Sequence, residues 1–215
     1  MARRYDCNES TDRATGLREA ASAVRRGELV VLPTDTVYGI GADAFSGEAV
    51  GDLLAAKGSG RNVPTPVFIG SPNTLHGLVT DFSEQAWELV DAFWPGPLTL
   101  VARHQPSLQW DLGDSRGTVA IRMPLHPVAI ELLTEVGPMA VTSANLTGHP
   151  APEDCDAAQG MLGDSVSVYL DGGPIPGLVP SSIVDVTGKV PVLLREGALS
   201  PEELRKVVPD LEVAS

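Results

Sequence analysis

Three basic residues of this sequence stand where an anion could be bound, because each lies at the end of an apolar segment. Arg122 closes TVAIR, Arg195 closes VLLR, and Lys57 ends a predicted helix. A charge at the end of a buried strand must reach solvent, a carboxylate or a bound anion. Taken alone, such an arginine is often a structural ion-pair partner, and Lys57 is more often a solvated helix end. Arg122 becomes a candidate binding residue only if it shares a pocket with Thr36.

The glycine-rich loop after Lys57, KGSGRNVPTP, adds a further cation, Arg61. A guanidinium and an ammonium on a flexible loop can grip phosphate groups. The GxxxxGK[ST] spacing of the Walker A motif is absent, so the loop is not a P-loop.

Small polar residues follow several of the same apolar segments. PTDTVYG contains Thr36, TSANLTG contains Ser143 and Asn145, and PSSIVDV contains Ser181. Hydroxyls donate and accept hydrogen bonds, and ligands bind at strand ends in open α/β sheets. We interpret the glycines of YGIG as positions where a ligand approaches the backbone. Each segment alone is also typical of a turn, but the recurrence at several strand ends favours a binding site.

The other reactive residues predict no competing chemistry. The histidines have neither HxH nor HxxxH spacing, and the two cysteines, Cys7 and Cys155, lie far apart without metal-ligand spacing. We therefore expect positioning and charge neutralisation, with no covalent nucleophile and no metal bound by the protein alone. Two distant cysteines also favour a reduced, cytoplasmic protein without a disulfide framework.

The net charge of −13 argues against an extended, nonspecific phosphate-binding surface, although a small basic pocket is compatible with it. The first residues, MARRYDCNESTDR, contain no apolar signal-peptide core, and no apolar run approaches 18 residues. We expect neither a signal peptide nor a membrane-spanning helix. The 215 residues suit a single domain, 1–215.

Periodicity predicts the elements that must hold these residues. Helices are expected around 14–24 and at 46–57, 83–94, 127–135, 156–162 and 200–207, and strands at 29–32, 66–69, 97–102, 118–122, 139–141, 166–170, 182–186 and 190–194. WPGP reads as a tight passage from helix to strand. Helices and strands mix throughout, so the fold class is α/β or α+β.

The segments PTDTVYGIGADA, FWPGPLTL, TVAIRMP, TSANLTG, SSIVDV and LREG, in this order, resemble the YrdC-like family of L-threonylcarbamoyladenylate synthases. The resemblance covers about residues 27–199. It implies a twisted mixed sheet with surrounding helices and a large, concave, positively lined cavity. The chain stops soon after LREG, which implies the short, single-domain form of the family.

The resemblance also implies a reaction: L-threonine, bicarbonate and ATP give threonylcarbamoyl-AMP and pyrophosphate. A separate tRNA-modifying transferase complex then uses the adenylate to make N6-threonylcarbamoyladenosine at position 37 of tRNA. Mg²⁺ is expected to be bound mainly through ATP. Direct tRNA binding is expected to be weak, and no membrane partner is expected.

The resemblance assigns roles to nine residues. Threonine contacts are implied for Thr36, Arg122, Ser143 and Ser181, and ATP contacts for Lys57, Arg61, Thr118, Asn145 and Arg195. Three positions depart from the family's usual pattern: Arg61 follows Lys57 by four residues instead of two, Thr65 stands in place of an asparagine, and Gly70 in place of a histidine that helps to bind threonine.

Two other functions remain open from the sequence. One is a non-catalytic RNA-binding module of the same fold, which the acidic charge disfavours. The other is a carbamoyl-transfer module of the kind found in hydrogenase maturation proteins, which carry acylphosphatase and zinc-binding segments that this sequence lacks.

Overall fold

A computed structural model describes residues 2–214, which form one twisted, mixed sheet with helices on both faces. The strands are β1 Arg3–Asp6, β2 Val30–Leu32, β3 Gly39–Asp43, β4 Val67–Phe68, β5 Val79–Thr80, β6 Leu98–His104, β7 Thr118–Arg122, β8 Met139–Ser143, β9 Val168–Asp171, β10 Ser182–Asp185, β11 Val192–Arg195 and β12 Glu212–Val213. Their order across the sheet is β1-β9-β2-β3-β8-β4-β7-β6-β10-β11-β12, and β5 pairs with β6. The predicted mixed α/β fold class is confirmed.

Serine caps define where several helices begin. The helices are α1 Ser10–Arg25, α2 Gly47–Lys57, α3 Leu75–Leu78, α4 Glu84–Phe93, α5 Pro127–Val136, α6 Cys155–Leu162 and α7 Pro201–Arg205. Ser46 and Ser83 accept hydrogen bonds from backbone N–H groups in the first turns of α2 and α4, and Ser200 forms a capping box with Glu203. Within residues 2–214, no helix combines the length and apolarity needed to cross a bilayer.

The apolar core lies on both faces of the sheet, because alternate side chains of a strand point to opposite faces. In β2, Val31 belongs to the cluster beneath α2, α4 and α6, whereas Val30 and Leu32 belong to the cluster beneath α1 and α5. A central strand buried on both faces reads as a continuous apolar run, which is why β2 was predictable.

One central strand, β3, contains both glycines of YGIG, which were interpreted as positions where a ligand approaches the backbone. It pairs antiparallel with both β2 and β8. A Cβ at Gly41 would lie 2.8 Å from Met139 Cε and 3.2 Å from Val141 Cγ2, so this glycine makes room for side chains of β8 and the ligand interpretation is wrong for it. The short strands β1, β5 and β12 were also missed, since two to four residues carry too little periodicity.

The position of Gly70 explains the absence of a side chain there. A Cβ at residue 70 would lie 2.8 Å from both the amide nitrogen and the hydroxyl of Thr134, and 3.0 Å from the carbonyl carbon of Leu133. Both neighbours belong to α5. The close approach of this helix leaves no space for a histidine unless the helix moves.

Candidate substrate-binding site

A cavity of about 310 Å³ brings together most of the polar residues singled out in the sequence. We call it the arginine cavity. Its polar lining consists of Thr34, Thr36, Thr99, Arg122, Thr142, Ser143, Asn145, Ser181 and Arg195, and its apolar lining includes Phe68, Val141, Leu178 and Pro180. The described lining residues include two arginines but neither Asp nor Glu. The lining is therefore positive, as expected for a site that binds anionic groups.

Arg122 is fixed at the wall of this cavity by three acceptors. Its Nε donates to Gly96 O at 3.0 Å, its Nη1 to Thr36 Oγ1 at 2.8 Å, and its Nη2 to Asp35 Oδ1 at 2.5 Å. Only 3% of the Arg122 side chain is exposed. Burial lowers the pKa of the guanidinium and the carboxylate of Asp35 opposes that shift, but an arginine in a protein stays charged. Arg122 is thus a structural ion-pair partner of Asp35, and it can still bind an anion in the cavity.

The turn between β2 and β3 is organised by Thr34. Its hydroxyl donates to Val37 O at 2.6 Å and accepts from the amides of Thr36 and Val37 at 3.1 and 3.2 Å. These bonds make a compact hydroxyl-stabilised turn that presents Thr36 to Arg122. The threonines of PTDT therefore serve both the turn and the site.

A second arginine of the cavity lining, Arg195, is anchored on Ser181. Arg195 Nη2 donates to Ser181 O at 2.7 Å, and the Ser181 hydroxyl lies 2.8 Å from that of Thr99. Burial lowers the pKa of Arg195. The arrangement places a second guanidinium and two hydroxyls at the cavity, so the predicted residues Thr36, Arg122, Ser181 and Arg195 share one site.

Lys57 lies directly behind the segment that contributes Ser143 and Asn145. Its ammonium donates to the backbone carbonyls of Ser143 and, at 2.6 Å, Asn145. Burial lowers the pKa of Lys57 to about 8. The amide nitrogen of Asn145 is bonded to Leu146 O and His149 O, whereas its buried Oδ1 has no hydrogen-bond partner within residues 2–214. Asn145 Oδ1 is thus a buried, unsatisfied acceptor of a residue that lines the cavity.

Three predicted ATP contacts, Lys57, Arg61 and Thr118, are not among the residues that line the arginine cavity. Arg61 is half-exposed and forms an ion pair with Asp111, and its backbone carbonyl accepts from the amide of Asp114 at 3.0 Å. Thr118 begins β7, four residues or about 13 Å of strand before Arg122. Its hydroxyl donates to Ser115 O at 2.7 Å. Lys57 touches the cavity segment from behind, so these three assignments stay predictions.

A larger groove of about 810 Å³ lies elsewhere, beside the end of α1 and the start of α2. Its two arginines are engaged: Arg25 pairs with Glu135, and Arg26 with Glu28. The groove is larger than the arginine cavity, but the arginine cavity is the better candidate for a binding site, because buried polar groups converge on it.

The described residues do not fit a resident Mg²⁺ site. Mg²⁺ binds to carboxylates or phosphates, and the described lining of the arginine cavity supplies no carboxylate. No group of three or more His, Cys, Asp or Glu side chains arranged to hold a metal is found between residues 2 and 214.

Sequence reasoning missed several residues that shape the site. Asp35 and Gly96 hold Arg122, and the Phe68 ring lies 5.5 Å from its guanidinium carbon. The sequence predicts a purely structural role for WPGP, yet the backbone carbonyl of its Gly96 accepts a hydrogen bond from Arg122 Nε. Asp35 stands between two threonines, and Arg122 stands at the end of a later strand. Both are charged residues, but nothing in the sequence indicates that they form a pair.

The fold and the site together define a mixed α/β protein with a small, positively lined cavity that suits a molecule carrying carboxylate or phosphate groups. The family model Sua5/YciO/YrdC, described as "Telomere recombination", matches residues 22–197. The chain belongs to this family.

Named relatives cover nearly the whole chain. A Mycobacterium tuberculosis protein, provisionally named threonylcarbamoyl-AMP synthase, is 55% identical over 97% of this chain and 96% of its own length. The threonylcarbamoyl-AMP synthase of Bacillus subtilis is 37% identical over 92% of this chain and 58% of its own. The crystal structure of Pyrococcus abyssi Sua5 complexed with L-threonine has a TM-score of 0.92 and 34% identity, and covers all of this chain and 62% of that one.

Proposed function

We propose that this chain is a threonylcarbamoyl-AMP synthase, a nucleotidyl-transferring enzyme that consumes L-threonine, bicarbonate and ATP and releases pyrophosphate. The observation that carries the proposal is Arg122, a buried guanidinium that faces a cavity lined by hydroxyls. We infer the substrate from relatives: one is named threonylcarbamoyl-AMP synthase, and the structure of another contains L-threonine.

In the proposed complex, the carboxylate of threonine pairs with Arg122. Thr36, Ser143 and Ser181 supply hydroxyls for the remaining polar groups of threonine. Arg195 and Asn145, whose buried Oδ1 has no hydrogen-bond partner within residues 2–214, contact the nucleotide. A buried guanidinium suits a carboxylate because the two form parallel, charge-assisted hydrogen bonds in a place where water competes weakly.

The proposed chemistry needs positioning and charge stabilisation more than a side-chain nucleophile. The threonine amine condenses with bicarbonate to a carbamate, and water leaves. A carbamate oxygen then attacks the α-phosphorus of ATP, the bond to the bridging oxygen breaks, and pyrophosphate departs. The role of the chain is to hold the carbamate oxygen in line with the leaving group, which accounts for a site without a catalytic triad.

Lys57, Arg61 and Thr118 are proposed to contact ATP, and Mg²⁺ is proposed to arrive with the ATP phosphates. Arg61 Nη2 is paired with Asp111, and we propose that this ion pair opens when Arg61 contacts the nucleotide. The exposed, glycine-containing loop around Arg61 allows such a movement.

The product is proposed to pass to a tRNA-modifying transferase complex, for N6-threonylcarbamoyladenosine at position 37 of tRNA. We also propose that residues 1–215 act as one domain in the cytoplasm. A single sheet that includes strands from both ends of the chain supports one domain, and two free, buried cysteines suit a reducing compartment.

The proposal is tested by pyrophosphate release from ATP, Mg²⁺ and bicarbonate with and without L-threonine, with the adenylate identified by mass spectrometry. We expect release only when threonine and bicarbonate are both present. Arg122→Ala should lower kcat/KM for threonine by about 100-fold or more, as expected when a buried charge partner is lost. Arg26→Ala, which breaks a surface ion pair, is the matched control. Threonine-independent release, or full activity of Arg122→Ala, would contradict the proposal.

A further inference from the structure

Asp35 lies directly behind Arg122 and contacts two separate segments with one oxygen. Its Oδ1 accepts from Arg122 Nη2 at 2.5 Å and from the backbone amide of Leu125 at 2.9 Å. Asp35 follows β2, whereas Leu125 follows β7. The carboxylate therefore ties the turn that carries Thr36 to the turn that follows Arg122. Asp35 itself is not among the residues that line the arginine cavity.

The hydrogen bonds of Arg122 leave a specific pair of donors for a ligand. A guanidinium has five N–H groups. Within residues 2–214, Nε is bonded to Gly96 O, one Nη1 hydrogen to Thr36 and one Nη2 hydrogen to Asp35. One N–H therefore stays available on each terminal nitrogen. Two donors on neighbouring nitrogens are what a carboxylate accepts in bidentate fashion.

Gly96 and Thr36 alone would hold the guanidinium less completely. They bond Nε and Nη1, which leaves both hydrogens of the buried Nη2 without an acceptor. A buried donor without an acceptor tends to shift towards water or another polar group. Asp35 supplies the third fixed point by accepting from Nη2, and it does so from outside the cavity lining.

We propose that Asp35 is a positioning residue that sets Arg122 to receive the substrate carboxylate. This inference rests on the proposed function, because it takes the carboxylate to be that of L-threonine. Asp35 acts through Arg122 and the placement of its donors, so its loss should weaken recognition of the carboxylate and leave recognition of the rest of the substrate largely intact.

The test compares two ligands on four proteins by isothermal titration calorimetry. The ligands are L-threonine and L-threoninol, in which a hydroxymethyl group replaces the carboxylate. The proteins are the unmodified chain, Asp35→Ala, Asp35→Asn and the control Glu28→Gln, which removes a carboxylate from a surface ion pair with Arg26. Circular dichroism melting verifies that each variant is folded.

We expect the unmodified chain and Glu28→Gln to bind threonine more tightly than threoninol. In Asp35→Ala this preference should fall about tenfold or more, mainly because threonine binding weakens. In Asp35→Asn the preference should stay within about threefold of the original, since the amide oxygen can still accept from Arg122 and Leu125. Rescue by asparagine would show that Asp35 acts by placing the guanidinium of Arg122 and that its negative charge is not needed for this effect.

Each other outcome overturns the inference in a recognisable way. An equal loss of both ligands in Asp35→Ala would mean collapse of the cavity, and an unchanged preference would mean that Arg122 needs no support from Asp35. A loss in Asp35→Asn as large as in Asp35→Ala would assign the effect to charge. Absence of threonine binding to the unmodified chain would reject the proposed function itself, and with it the role of Asp35.

Discussion

Two buried cations lie at or behind the arginine cavity, and the chain accommodates them differently. Arg122 has a carboxylate partner in Asp35, whereas Lys57 is bonded to two backbone carbonyls. Carbonyl dipoles replace only part of the hydration of an ammonium, so burial lowers the pKa of Lys57 from 10.5 to about 8. At neutral pH the amine is still mostly protonated, but its charge is costly to the folded state.

This cost predicts a pH dependence of stability that belongs to Lys57. Between about pH 8 and pH 10.5 the folded chain has lost the Lys57 proton while the unfolded chain still binds it. Stability rises with pH wherever the unfolded state binds more protons. The free energy of unfolding of the unmodified chain, minus that of Lys57→Met, should therefore increase across this window.

Urea unfolding at several pH values measures the difference, and groups common to both proteins cancel. Lys189→Met, at an exposed lysine, is the control and should show no comparable trend. A difference that stays flat or falls between pH 8 and pH 10.5 would mean that the amine is not destabilised by burial.

At the residue scale, the sequence predicted which side chains belong to the site, but it did not predict which residues they contact. Arg122 was predictable because a charge that ends an apolar strand needs a partner. Its partners Asp35 and Gly96 are 87 and 26 positions away in the sequence, and only the folded sheet brings them together. Long-range pairing of this kind leaves no local pattern.

Among the elements, the loop between β9 and β10 contributes residues to the cavity lining, and its first residues are held by the hydroxyl of Tyr38. Tyr38 donates to Gly173 O at 2.6 Å and accepts from the amide of Gly172 at 3.0 Å. Further along, Leu178 and Pro180 line the cavity. The buried Tyr38 thereby fixes the start of a segment whose later residues face the ligand.

Tyr38→Phe should loosen this loop without emptying the core, because only the hydroxyl is removed. We expect faster amide hydrogen exchange in residues 172–180 and a loss of about 1–3 kcal/mol in the free energy of unfolding from the unpaired backbone groups. The matched control is Tyr169→Phe, which removes a hydroxyl that donates to Gly163 O at 2.7 Å. This variant should leave amide exchange in residues 172–180 unchanged. Equal exchange in both variants would show that Tyr38 does not anchor the loop.

The contact between β4 and α5 gives a second prediction at this scale. Gly70→Ala would place a Cβ 2.8 Å from the backbone nitrogen of Thr134, so either the segment after β4 or the helix must shift. We expect a loss of about 1–3 kcal/mol in thermal or urea unfolding, as for other overpacked sites.

The control for this prediction is Gly160→Ala. Gly160 lies inside α6, where an added Cβ meets no atom within 4 Å, and alanine should stabilise the helix by about 0.5–1 kcal/mol. If Gly70→Ala were neutral, the close packing would not be the reason for glycine at this position.

Element prediction succeeded where periodicity and caps agreed, as in α2 and α4. It failed for β3, because glycines in a strand resemble a turn when the side chains that fill their space come from another strand. The large side chains of Met139 and Val141 in β8 explain Gly41, and no local rule could connect them.

Over the whole molecule, charge separates a small binding site from an RNA-binding surface. The sequence has 28 acidic residues against 15 basic ones. Within residues 2–214, seven arginines form ion pairs with carboxylates: Arg3, Arg4, Arg13, Arg25, Arg26, Arg61 and Arg122. The eight basic residues outside these pairs are outnumbered by acidic residues, which disfavours an extended surface for the phosphates of a nucleic acid, although two arginines suffice for a nucleotide in a cavity.

We therefore expect tRNA to bind more weakly than about 10⁻⁴ M at physiological salt, outside the usual range of nonspecific nucleic-acid binding. Fluorescence anisotropy with labelled tRNA between 50 and 200 mM salt measures this directly, with Arg122→Ala and Arg195→Ala as cavity controls. Saturable micromolar binding that falls steeply with salt would favour the RNA-binding module. If Arg122→Ala and Arg195→Ala then lost tRNA binding, the RNA would bind at the cavity and compete with ATP. If both variants kept tRNA binding, the RNA would bind to an outer surface despite the net charge. Weak binding to all three proteins is the result that a synthase requires if its product reaches tRNA through another protein.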